Sequence, residues 1–497
     1  MADLFLNLGI DFGTSFTKVC VRDTDRERSW VVNFAGNRPR LDEALLPTKI
    51  GICNDGRLLA GLTQSEWVAV APNVAVSIDF IKMRLANLDV GTETQPYPSD
   101  RLQSFKRVDL NTTESLENLS AYYLSRVITK AQDWVMTNNQ TLVKNQEIGW
   151  SANVGVPVKY IDSKAVERFK RVIRWAWLLC QSQPQSFNDL WEEMERLRGE
   201  RDRDDIPCFA MPEIAAAVQS YTISRQAEPG TYIFFDIGSG TIEGASFRFW
   251  REPNMPPLVE FYSAEVEALG VNALAKKIAA QSKVLELDLT RELIEDSQTL
   301  LSQVYSFSET LARPASKTSD RRGGGGERVA NKILVGNSKV FVEDVELQLQ
   351  KASNPETQKL LHLILAQNLI HREVATVIVG CQKKFPSYFQ QSPKLGIFLG
   401  GGGRNIEYYR ETIESTYIAF GHKQADIPVY QLKELPFPAD FDLSRLQPNN
   451  LFHRFAIAYG LSVPEGEGPE IKGYPRQFPD APPPPPRRER LPQLPTD

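Results

Sequence analysis

The chain has 497 residues, 42% hydrophobic and 24% charged, an ordinary globular composition long enough for roughly two to four core-bearing units and unlike a fibre or a wholly disordered chain. Its 57 lysines and arginines stand against 62 aspartates and glutamates, a net charge of −5, so no global field recruits nucleic acid or an anionic membrane, and no sequence-specific nucleic-acid motif is evident. The five cysteines form no CxxC pair, the four histidines have no metal-ligand spacing, the N-terminus carries no basic-then-apolar signal and no apolar run approaches the ~20 residues that cross a bilayer. With apolar-flanked thiols as well, a cytoplasmic protein is expected.

In chain order, Leu8 to Val21 (LGIDFGTSFTKVCV) reads as an apolar strand that ends on Asp11, turns through Gly13, Thr14 and Ser15, and resumes as a second strand. Strands follow over Arg28 to Phe34 and, around the turn Asn54-Asp55-Gly56, over Leu45 to Gly61; Val76 to Ala86 carries Lys82. Asp89 to Asn118 is polar and reads as a surface excursion. Leu119 to Thr137 is helical by spacing, Ile148 to Tyr160 is a strand closing on Val156-Pro157, and Ser163 to Leu179 is again helical. In the charged stretch Gln181 to Pro207, Leu190, Trp191, Met194 and Leu197 share one helical face, which suits either an edge helix or a partner-docking flap. Glu213 opens an Ala-rich helix, Ile214 to Tyr221, able to pack closely against another helix.

Thr231 to Phe249 (TYIFFDIGSGTIEGASFRF) then repeats the first hairpin, with Asp236 at the strand end and Gly238, Ser239, Gly240 and Thr241 in the turn. Glycine at such a bend lets backbone amides approach a phosphate, and the hydroxyls of Thr14, Ser15, Ser239 and Thr241 add donors. Asp11 and Asp236 are placed to hold a hydrated Mg²⁺. One such turn is only a tight turn, whereas two imply a duplicated unit whose halves clamp a polyphosphate across a cleft. Beyond it, Gly270 opens a helix within Glu265 to Ala279, Arg291 to Leu311 is helical, and Ala315 to Glu327 reads as a flexible loop whose glycines, 323–326, follow no strand and so make no phosphate loop. Asn331 to Val345 reads as two strands and Pro355 to Gln382 as a long helix. In Lys394 to Glu414 a buried strand runs into Gly400 to Gly403 and a helix opened by Arg404, so Gly401, Gly402, Gly403 and Arg404 can lie against a nucleotide. Val463 to Asp497 is a Pro-rich tail.

Two Asp-bearing hairpins followed by strand, Gly-rich turn and helix resemble the ATPase superfamily of actin, hexokinase and the heat-shock chaperones, and within it the nucleotide-binding domain of the DnaK-type chaperones, in fragments from about residue 8 to 463. The resemblance implies an α/β, two-lobed actin-like ATPase fold of duplicated ribonuclease-H-like units: a first lobe over 1–222 with an insertion at 181–207, a second over 223–450, a crossing helix at 451–463 (which carries the family's Ala-Tyr-Gly) and a disordered tail over 464–497. It implies ATP and Mg²⁺ in the cleft, catalysis by Lys82, Asp11, Asp236 and Glu213, and Gly270 as the counterpart of a Gly-Gly segment of the second lobe. Departures are Met211 before Pro212, where the family has a Glu that positions water, so that Glu213 is the nearest carboxylate; Ser239 for Gly; Glu243 for Asp; and Arg313-Pro314 where adenine contacts are expected. The stretch after Ser462 is too short for a peptide-binding β-sandwich and lid. The expected function is an ATP-binding, slowly hydrolysing chaperone-like switch read by a protein partner; the alternatives are a small-molecule kinase, an actin-like filament subunit and a non-hydrolysing ATP-binding scaffold.

Overall fold

The computed structural model describes residues 3–472 except 35–40, 87–96, 99–107, 161–163, 200–205, 252–256, 313–331, 337, 392–393, 421–426, 443–448 and 465. The fold is mixed α/β, organised by two large mixed sheets. β1 (Leu4–Phe12), β2 (Phe16–Asp23) and β3 (Arg28–Val31) form an antiparallel meander. Every residue of β1 except Phe5 is buried, the pattern of a strand covered on both faces. The chain continues through the short helix α1 (Ile81–Leu85), α2 (Thr113–Asn138), β4 (Ile148–Val156), α3 (Lys164–Ser182), α4 (Phe187–Gly199), β5 (Cys208–Pro212) and α5 (Glu213–Ala217). β4 runs parallel to β1, and β5 parallel to β4.

The second sheet repeats this plan. β6 (Gly230–Ile237), β7 (Ile242–Trp250) and β8 (Leu258–Glu267) form an antiparallel meander, followed by α6 (Val271–Ser282), α7 (Pro355–Lys384), β9 (Lys394–Gly400), α8 (Glu407–Ala419) and β10 (Val429–Lys433). β9 is parallel to β6 and β10 to β9, so the orders β3-β2-β1-β4-β5 and β8-β7-β6-β9-β10 are the same topology twice. Each meander also receives a short parallel strand from the C-terminal part of the chain, β11 (Phe441–Asp442) beside β3 and β12 (Glu470–Lys472) beside β8. Both cover an otherwise open edge.

Several elements differ from the sequence reading. The chain regains the first sheet at Phe441, ahead of the boundary expected at 450, and β12 lies in the stretch expected to be tail. Residues 473–497 and the glycines at 323–326 lie outside the described residues. Helix α2 begins at Thr113 rather than Leu119 because the Thr112 side chain caps it by accepting from the Ser115 amide. The Ala-rich helix divides into α5 and a second short helix over Gln219–Thr222. In α4, Phe187, Leu190, Trp191, Met194 and Leu197 are all buried in the first core, so this helix is packed scaffolding. α7 is long and apolar enough to cross a membrane by length and composition, against the sequence expectation, yet it buries Lys359, Gln367, His371 and Glu373, and its Val377 carbonyl accepts from Ser263 Oγ of β8 at 2.7 Å.

The two sheets are joined through α5 and a last helix, α9 (Ala456–Ser462), which share an apolar cluster with residues of both sheets. The contact is backbone against backbone. A Cβ on Gly460 would overlap the Ala216 carbonyl, and one on Gly9 would overlap the Ala458 carbonyl and the Ser462 amide. The carbonyls at the end of α9, orphaned by the helix terminus, are taken up by buried amides: Asn7 Nδ2 donates to Ser462 O at 2.9 Å and Asn153 Nδ2 to Leu461 O at 2.8 Å. Gly460→Ala is therefore expected to destabilise the protein by about 2 kcal/mol or more in urea unfolding. Gly199→Ala, on an exposed helix end with nothing near the added carbon, should be neutral or slightly stabilising. Equal stability of the two variants would contradict this packing.

Candidate functional site

Both hairpin turns close on themselves and leave donors over. The Gly13 amide donates to the Asp11 carbonyl at 2.9 Å and the Gly238 amide to the Thr241 carbonyl at 2.8 Å. Among the described residues the amides of Thr14, Ser15, Ser239 and Gly240 make no hydrogen bond. The turns touch tip to tip: Ser15 Oγ lies 2.5 Å from Ser239 Oγ, and Asn272 Nδ2 donates to Ser15 Oγ at 3.3 Å. Gly240 must be glycine, because a Cβ there would run into the Thr14 side chain and Met83 Sδ. Gly270 holds the second turn from behind. Its own amide and those of Val271, Asn272 and Ala273 donate to the carbonyls of Gly240, Gly238 and Ser239, so the first-turn donors of α6 are spent on the turn.

Phe80, in the left-handed conformation at φ 58°, sets the direction of α1. Lys82 and Met83 are thereby buried; Met83 packs on Ala273, and Lys276 Nζ sits 4.7 Å above the Phe80 ring. Lys82 Nζ forms an ion pair with Glu213 Oε1, and Lys18 Nζ another with Asp11 Oδ2. A Cβ on Gly155 of β4 would overlap the Glu213 side chain, so that strand needs glycine there to admit the carboxylate. Glu243 Oε1 accepts from the Val158 amide at 2.5 Å, while the buried Asp236 Oδ1 accepts nothing.

Four carboxylates, Asp11, Glu213, Asp236 and Glu243, thus act on one another, opposed by Lys18 and Lys82. Burial pushes Asp236 up to about 7, with Asp11 and Glu213 adding and Lys18 and Lys82 opposing. Burial also raises Glu243, reinforced by Glu213, and raises Glu213 against the pull of Lys82. For Lys82, burial acts to lower the ammonium pKa, but Glu213, then Asp11 and Glu243 outweigh it and keep the group charged. No three His, Cys, Asp or Glu side chains among the described residues converge to ligate a metal directly.

The Gly-rich turn adjoins the same cluster. Gly400 pairs with Asp236 in the β6–β9 register, Gly401 has φ +78° with no space for a Cβ beside Asp236 Oδ1, and the Gly403 amide donates to the Ile237 carbonyl at 2.9 Å. Gly402 is exposed at the tip. Arg404 is half-buried, its Nη2 3.6 Å from the exposed Glu434 and its Nε without an acceptor. The expected residues Asp11, Thr14, Ser15, Lys82, Glu213, Asp236, Ser239 and Gly240 are therefore assembled around one point, with Gly401 and Gly403 against its Asp236 side and Met211 half-buried on β5 just ahead of Glu213.

No protein-family model matches the chain, and no curated protein matches it. The site is accordingly defined by its own geometry, which includes Lys18, passed over in the sequence, and Glu243, noted there only as a departure from the family pattern. Lys18 and Glu243 occupy the same register position, directly opposite Asp11 and Asp236. Their common spacing of seven from the aspartate was the available signal. Asn272 and Val158 carried none, since each reaches the site from a separate element.

A carboxyl raised in the folded state contributes stability that is complete below its ordinary value of 3.8 and lost as pH rises through about 7. In EDTA, Asp236→Asn should therefore melt at or above the wild type at pH 8 by a few degrees, with the difference growing between pH 4 and 7 by up to ~1.4 kcal/mol per unit. Glu213, Glu243 and Glu373 shift in the same direction, so the difference between the two profiles isolates Asp236. A difference that does not change with pH would contradict the raised proton affinity of Asp236.

Proposed function

We propose that the chain is a Mg²⁺-dependent, ATP-binding and slowly hydrolysing switch of the two-lobed, actin-like class, built from duplicated ribonuclease-H-like units and resembling the DnaK-type nucleotide-binding domain. The observation that carries this reading is the tip-to-tip meeting of two topologically equivalent hairpin turns at a buried carboxylate cluster that contains Lys82. The unused amides of Thr14, Ser15, Ser239 and Gly240 suit β- and γ-phosphate oxygens. Excess negative charge and the orphaned Asp236 Oδ1 fit a hydrated Mg²⁺ held through water by Asp11 and Asp236. When bound, that ion offsets charge on the phosphates.

The chain's own groups divide the remaining work. Lys82 keeps a fixed positive charge beside the transferred group, and Glu213, its ion-pair partner, orients the attacking water by accepting a hydrogen bond. Met83 and Phe80 shut the cleft on one side. Because Ser15 and Ser239 touch directly, ligand entry separates the turns and ligand loss lets them close, with the α5–α9 crossing as the hinge. A protein partner reads that motion. Five free thiols, four of them buried, favour a cytoplasmic setting. A kinase reading is less well supported, because Glu213 is engaged by Lys82 and Glu243 by the Val158 amide, leaving neither as a base for a substrate hydroxyl.

Equilibrium ATP titration beside single-turnover hydrolysis tests the reading. Asp11→Asn and Asp236→Asn are expected to weaken binding about tenfold or more only when Mg²⁺ is present. Lys82→Gln, which keeps a donor for Glu213, should bind ATP within a few-fold of wild type and lose about 10² in turnover. Unchanged turnover in Lys82→Gln would remove its role, ATP binding without hydrolysis in the wild type would leave a scaffold, and absence of binding would end the nucleotide reading.

A further inference from the structure

Several half-buried and buried arginines elsewhere have anionic or ring partners. Arg22 meets Asp440 at 2.5 Å, Arg198 bonds Glu114 and Asn118, and Arg84 lies 3.7 Å from the Tyr97 ring centroid. Arg454 has no such partner among the described residues. It ends the 3-10 turn Asn449–Arg454 that leads into α9, it is half-buried, and among the described residues no carboxylate or carbonyl accepts from it. Partial burial lowers its proton affinity from the ordinary value. Its Nη2 would stand 3.2 Å from a Cβ on Gly402, so the guanidinium faces the exposed tip of the Gly-rich turn.

That turn has opposite charge at its two ends. Gly401 is packed on the Asp236 carboxylate, and Gly402 faces the Arg454 fork. The proposed triphosphate runs from the hairpin turns, where its terminal phosphates belong, towards the Gly-rich turn on the nucleoside side. We infer that Arg454 binds the phosphate attached to the nucleoside, holding it against the tip of the Gly400–Gly403 turn. A planar fork with no protein acceptor suits a phosphate, which it can grip with two parallel N–H bonds. The contact has a mechanical consequence. Arg454 is continuous with α9, which is anchored on the first sheet by Asn7 and Asn153, whereas Gly402 follows a strand of the second. A phosphate gripped between them ties the two sheets at a second point, away from the paired hairpins.

This inference rests on the nucleotide reading, and the test separates the two. Wild type, Arg454→Gln and Arg454→Lys are titrated at constant ionic strength with Mg²⁺-ATP, and with AMP and adenosine in competition against ATP; circular dichroism and thermal melts of the variants check the fold. Arg454→Gln is expected to lose about tenfold or more in affinity for ATP and AMP and to hold adenosine within about twofold, with Arg454→Lys in between. AMP and ATP affinities equal to wild type in Arg454→Gln would overturn the inference while leaving ATP binding intact. A proportional loss of adenosine and AMP would also overturn it, by reducing Arg454 to packing. No ATP binding by the wild type would remove the nucleotide reading and this inference together.

Discussion

Asp11, Glu213 and Glu243 are buried and Asp236 is half-buried with its Oδ1 shut away from water, Lys18 and Lys82 stand among them, and much of the surrounding structure is a response to that imbalance. Burying a charge costs several kcal/mol unless it is paired or protonated. The chain uses both remedies: Lys82 and Lys18 pair with Glu213 and Asp11, while burial drives Asp236, Glu213 and Glu243 towards the protonated form. Glycine at 155 follows from the same constraint, because no side chain fits beside Glu213 there. The two hairpins differ in a telling way. At the equivalent register position the first carries Lys18 and the second carries Glu243, so the first half neutralises its aspartate and the second leaves Asp236 with an unsatisfied oxygen.

That asymmetry is set within a repeated framework. Two sheets of one topology put the aspartate-bearing strands β1 and β6 in equivalent places, and the Gly-rich turn hangs from β9, the parallel neighbour of β6. The sheets meet through helices so close that Gly460 lies on the Ala216 carbonyl, a contact that fixes their position. Further links across the join are polar and separable: the Val158 amide to Glu243, Lys159 to Glu265 at 2.7 Å, and Ser15 to Ser239. A joint with a tight pivot and breakable outer contacts is suited to opening and closing around a ligand.

Local signals carried much of this architecture into the sequence. Asp11, Gly13 and Thr14, and their echo at Asp236, Gly238 and Thr241, could be read because turns depend on a few neighbouring residues. The apolar face of α4 was readable too, and it is buried as its spacing implied. What could not be read depends on distant partners or on very few residues. The two-residue strand β11 and three-residue β12 are too short for periodicity to register, and Arg454 looks like any charged residue before a helix until Gly402 is brought to it. Lys82 was placed by resemblance alone, and its burial against Glu213 follows from Phe80, whose left-handed backbone has no sequence signature.

The central claim is that the two hairpin turns are jaws that close on each other and open for a polyphosphate. It is tested most directly by replacing Ser15 and Ser239 with cysteine, since their hydroxyls are 2.5 Å apart, and following disulfide formation under mild oxidation with and without Mg²⁺-ATP. Rapid cross-linking is expected in the ligand-free protein, with strong protection by Mg²⁺-ATP and loss of ATP binding once the bond has formed. Cross-linking at the same rate with and without nucleotide, or ATP binding undiminished in the oxidised protein, would contradict it.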